Sequence, residues 1–67
     1  MTKTYRISGP TDDIAVASLA DELSLIDGAH DVDIQVNDSR LTVIGDNFSD
    51  DDVKRAAENA GYGIEVN

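Results

Sequence analysis

Two stretches of helical spacing, each entered from an alternating stretch and left into another, constrain this chain more than any other feature. Residues 3–8 (KTYRIS) alternate, with Tyr5 and Ile7 on one side and Arg6 on the other, as in a half-buried strand. Val16, Leu19, Leu23 and Ile26 then recur at helical intervals, flanked by Ala15 and Ala20, and predict a helix over 12–26 with Thr11 as N-cap. Asp27-Gly28 is expected to close it, since glycine suits the left-handed position after a helix. Residues 31–36 alternate again, with Val32, Ile34 and Val36 inward and Asp31, Asp33 and Gln35 outward. After an NDS turn at 37–39, Leu41 and Val43 form the inward side of a third strand, with Arg40 and Thr42 outward. Ser49 opens a second helix, with Asp52 three residues on and a narrow apolar face of Val53, Ala56, Ala57 and Ala60. Gly61 ends it, and Ile64 and Val66 give a short last strand with Tyr62 on the same parity.

The order is β-α-β-β-α-β, which predicts an α+β, ferredoxin-like fold with two helices on one face of a four-stranded antiparallel sheet. Right-handed crossovers place the first and third strands in the centre. The second strand becomes an edge, and its outward Asp31 and Asp33 discourage edge-to-edge pairing. Sixty-seven residues make one small domain, spanning 1–67, with no linker or repeat.

Charge narrows the functional classes. Fourteen acidic residues face five basic ones, for a net charge of −9, and the acids are eleven Asp against three Glu. Phosphate-backbone binding needs a basic face, so nucleic acid is excluded as a partner. Self-repulsion at this density destabilises the fold in dilute buffer, and concentrated salt relieves it. An Asp-rich, Lys-poor balance is what a protein from a salt-rich cytoplasm would show; a merely acidic, soluble small domain is the alternative. No cysteine is present, which excludes a disulfide, a thiolate nucleophile and a Cys-based metal site. No apolar run approaches a membrane span and no apolar leader opens the chain, so a cytoplasmic monomer is expected.

Four pieces of the sequence, in order and at fitting intervals, carry a resemblance: YRISG, LSLIDGAHDVDIQV, LTVIGD and SDDDVKRAAENAGYGIEV. Together they resemble the heavy-metal-associated domain, the carrier module of copper chaperones, mercury-binding proteins and the N-termini of metal-pumping ATPases. The first piece leads, in that family, into a G-M-x-C-x-x-C metal loop. Aligned on Gly9, the family's Met falls on Pro10 and its two cysteines fall on Asp12 and Ala15. The resemblance therefore implies the scaffold of a metal carrier with its soft-metal site missing, as in a haloarchaeal protein or a cysteine-free engineered version. It also implies a protein partner, such as a metal-transporting ATPase, docking at the Pro10–Ala15 and Tyr62 end.

Within the loop Gly9, Pro10, Thr11, Asp12, Asp13, Ala15, the positive end of the first helix attracts the carboxylates of Asp12 and Asp13. These two are weak candidates for a hard cation, being too few for a tight site. Pro10 stiffens the loop, and Ala15 is expected to pack. Tyr62 is expected to sit over this loop against Pro10 or Ile14, as a local packing contact; an exposed Ile14 would instead leave a small apolar docking patch. The run DNFSDDD (46–52) lacks the ligand spacing of a calcium loop, and its acids read as solvated first-turn residues. His30, the only histidine, is expected on the surface at the opposite end, and no catalytic set or cofactor is indicated. A small-molecule-sensing ACT-type domain shares the topology, but would need pairing through the charged second strand.

Overall fold

Tyr5, Ile7, Leu41 and Val43 alternate inward on two neighbouring strands, and the fold is built over them. The computed structural model describes residues 1–66, without the side chain of Val66, whose expected inward placement lies outside the described residues. The elements are β1 (Thr2–Ser8), α1 (Asp13–Ser24), β2 (Ala29–Gln35), β3 (Arg40–Gly45), α2 (Asp50–Asn59) and β4 (Gly63–Val66), with a short 3-10 turn at Val36–Asp38. The sheet is antiparallel in the order β2-β3-β1-β4, so β1 and β3 are central and β2 is an edge. Both helices pack on one face, α1 through Leu19 and Leu23 and α2 through Val53, Ala56 and Ala57. This is the ferredoxin-like arrangement that the element order predicts.

Four boundaries differ from the sequence reading. The N-cap of α1 is Asp12, one residue beyond Thr11: Asp12 is extended, and its carboxylate accepts the Ala15 N–H at 3.1 Å. Carboxylates cap at least as well as threonine, and here the charge also meets the helix dipole. The helix stops at Ser24 with Leu25 as C-cap, so Asp27-Gly28 does not close it. Leu25 and Ile26 continue in a tighter turn, donating to the carbonyls of Glu22 and Leu23. Ile26 still packs against the core. β2 starts two residues early, at Ala29, with a register irregularity before Asp31. It ends at Gln35, so the half-buried Val36 belongs to the 3-10 turn and not to the strand.

Phe48 is buried although no periodicity marks it. It precedes the N-cap Ser49, and Val53 stands at the fourth helical position, the two places of a hydrophobic staple. At the other end of α2, Gly61 donates to the Glu58 carbonyl at 3.0 Å and Tyr62 to the Ala57 carbonyl at 2.9 Å. That pair of bonds is a Schellman motif, and it fixes where Tyr62 leaves the helix.

None of the acidic residues is buried. The fold thus keeps its whole negative charge at the surface, and its stability is expected to rise markedly between dilute buffer and molar KCl, where the Debye length falls to ~3 Å. Thermal melts at graded KCl, with sucrose as a neutral control, measure this; a midpoint that is flat or falling with KCl would defeat the salt-adapted reading.

Asp50 is the exception among the first-turn acids of α2. Its Oδ1 accepts the Tyr5 hydroxyl at 2.7 Å and the Lys3 ammonium at 2.9 Å, tying β1 to the start of the helix. The Tyr5 hydroxyl, then Lys3, hold the Asp50 carboxyl below its usual range, while burial and the Asp50 charge push the Tyr5 phenol up. A carboxyl depressed in the folded state stabilises above its ordinary value of about 4 and loses that contribution as pH falls through the depressed value. A raised phenol stabilises below about 10 and loses its contribution as pH climbs toward the folded value. Asp50→Asn is therefore expected to destabilise at neutral pH. In urea melts the gap to the parent protein should shrink below about pH 4. A gap constant from pH 7 to pH 2 would exclude the clasp.

Candidate functional site

The segment between β1 and α1 is shaped by contacts from the far end of the chain. Gly9 has φ +154°, and a Cβ there would meet the Tyr62 ring at 2.7 Å. The Tyr62 hydroxyl donates to the Pro10 carbonyl at 2.6 Å, and the ring is only 3% exposed. Burial, then the nearby Asp12 charge, push the Tyr62 phenol up, so its proton stays in this bond at neutral pH. Glycine is thus required where the ring lies against the backbone, and the carbonyl that follows is fixed by the hydroxyl.

From that anchored point the chain enters the helix through Asp12. The Asp12 side chain accepts the Ala15 N–H, and the Asp12 carbonyl accepts the Val16 N–H at 3.0 Å. Asp12 and Ala15, the positions onto which the resemblance places the cysteines, are therefore bonded directly to each other, side chain to backbone. Ala15 is half-buried and packs against the core; Pro10, Thr11, Asp12 and Asp13 are exposed. Of the two partners the sequence offers Tyr62, the structure shows contact with Pro10. Ile14 is 81% exposed, because its position in the first turn of α1 points away from the core stripe.

Among the described residues no group of three or more His, Asp or Glu side chains converges as a metal site. Asp12 and Asp13 do not gain a third ligand, and one oxygen of Asp12 is already committed to the helix cap. His30 lies at the opposite end of the sheet, exposed, with Nε2 3.3 Å from Asp46 Oδ2. Among the described residues no helix is long and apolar enough to cross a membrane.

No protein-family model matches the chain. No curated protein matches it either. Solved structures do. The copper-binding domain of HMA7, a P-type ATPase, superposes with a TM-score of 0.88 at 20% identity, covering 98% of this chain and 92% of that one. The CopZ metallochaperone gives 0.89 at 19% identity, covering 97% and 100%. Oxidized MerP from Ralstonia metallidurans CH34 gives 0.86 at 24% identity, covering 98% and 94%. The chain adopts the fold of these metal-handling domains over essentially its full described length.

Proposed function

We propose that this chain is a non-catalytic, salt-adapted interaction module of metal transport, built on a heavy-metal carrier scaffold whose soft-metal loop has become a self-capped helix start. The observation that carries the reading is the hydrogen bond from Ala15 N–H to the Asp12 carboxylate, at the two positions where the family places its thiolates. The helix end that would favour a thiolate is satisfied by a carboxylate instead, and no ion is needed to hold the loop. The exposed Ile14, beside the loop closed by Tyr62, supports docking through this end onto a protein such as a metal-transporting ATPase. The chain acts as one domain and one copy, its β2 edge guarded by exposed Asp31 and Asp33.

Soft thiolate and thioether ligands select Cu(I), and Met1 is the chain's only sulfur. Tag-free protein is therefore expected to leave a chromogenic Cu(I) chelator fully loaded in a competition titration. Stoichiometric transfer of copper to the protein would overturn the reading.

A further inference from the structure

Acidic side chains are absent from both central strands, although 14 of 67 residues are acidic. On the face that the helices leave open, β1 presents Thr2, Thr4, Arg6 and Ser8, and β3 presents Arg40, Thr42 and Ile44. The acids of this face stand on the edge strands, Asp31 and Asp33 on β2 and Glu65 on β4. Within the central strip Arg6 is directly opposite Arg40 and Thr4 directly opposite Thr42. Like charges opposed across strands are destabilising, and an acid at either place would relieve the repulsion. The row instead runs Gln35, Arg40, Arg6, Glu65, and neither guanidinium forms an ion pair among the described residues. A shallow hollow of about 420 Å³ opens here, lined by Thr4, Arg6, Ser39, Arg40 and Thr42 together with one acid, Asp38.

We propose that this strip is an oxyanion site, in which the opposed guanidiniums of Arg6 and Arg40 hold a free tetrahedral dianion of the phosphate class. Planar guanidinium forks match the oxygens of such an ion two at a time, and one dianion between two cations turns their repulsion into two attractions. The hydroxyls of Thr4, Thr42 and Ser39 are further donors in the same wall. Asp38 lines the hollow and Glu65 stands opposite Arg6, with Asp33 beyond, so an extended polyanion would meet more carboxylates than a small ion. The proposal stands apart from the reading of the Gly9–Ala15 loop, and either can fail without the other.

The test is a titration of the 15N-labelled chain with potassium phosphate at pH 7, with KCl matched for ionic strength. Saturable, single-site shifts are expected at the amides of Thr4, Arg6, Arg40 and Thr42 and at the Nε–H signals of Arg6 and Arg40. Arg55, on α2, serves as the control cation. Arg6→Gln and Arg40→Gln should each weaken binding by about tenfold or more, the scale of a lost charge-assisted hydrogen bond. Phosphate also stabilises proteins generally by exclusion. The gain in melting temperature over KCl must therefore be larger for the parent chain than for either variant. Shifts that do not saturate, or that are equal at Arg55 and Arg6, would overturn the proposal, as would an equal thermal gain in parent and variants. The titration of the parent chain decides even where a variant does not fold.

Discussion

Asp12→Cys together with Ala15→Cys is expected to turn this chain into a Cu(I) binder in one step. Asp12 caps α1, and its side chain already reaches the backbone of Ala15 at 3.1 Å. Two side chains at these positions can face one ion from the same side. The helix N-terminus lowers thiol pKa values and favours the thiolate pair. The substitution removes the carboxylate cap, at a cost of about 1 kcal/mol, which bound metal more than offsets. Pro10 stands where the family has Met, and Asp13 adds negative charge that opposes thiolate formation. The affinity should therefore lie below that of cysteine-bearing heavy-metal-associated domains. One Cu(I) per chain is expected in the double variant and much weaker binding in either single variant, read by competition against a chromogenic chelator. No binding by a correctly folded double variant, or equal binding by all three, would mean that residues 9–15 do not form the family's loop.

The second large effect is steric. Gly28 and Gly45 meet where the start of β2 lies against the end of β3. A Cβ on Gly45 would overlap the Gly28 carbonyl oxygen and press on Ala29 Cα at 2.9 Å. A Cβ on Gly28 would overlap the Asp46 carbonyl oxygen, at a φ of +90°. The same backbone is held by the Asp46 N–H donating to the Gly28 carbonyl at 2.7 Å. The obstacles are backbone atoms of paired strands, so neither can swing aside. Gly45→Ala is expected to cost several kcal/mol, comparable to the whole ~3–10 kcal/mol stability of a chain this long. Gly61→Ala is the control. It shares the positive φ, at +86°, but nothing lies within 4 Å, so only the backbone strain of about 1–2 kcal/mol is expected. Urea melts in molar KCl compare the two; equal losses would show that the close approach at Gly28 and Gly45 is not what matters.

The fold was legible because its two periodicities are clean. Tyr5 and Ile7, Leu41 and Val43, and Leu19 and Leu23 each sit at the spacing their element demands, and all are buried. What escaped was set by contacts between distant segments. Phe48 lies in a loop with no period, and only its place before Ser49, with Val53 beyond, hints at a staple. Lys3, Tyr5 and Asp50 are joined across more than forty residues, so a run of three aspartates gave no sign that its first member differs from the others. The absence of cysteine was plain from the sequence. That Asp12 is itself the cap was not, because Thr11 is an equally good capping type and the choice depends on where the chain turns. Ile14 lay off the apolar stripe, and its exposure follows from that.

On the proposed reading, the bond between Asp12 and Ala15 also separates folding from metal supply. A thiolate loop gains stability from its ion by mass action, so its folded population tracks the concentration of free metal. Here the corresponding stabilisation is intramolecular and has no concentration dependence. The folded fraction, and with it the resistance to proteolysis, should be the same in a metal-starved cell as in a metal-loaded one. A partner that reads this end of the molecule would meet one constant surface, present at all times and indifferent to the state of the metal pool.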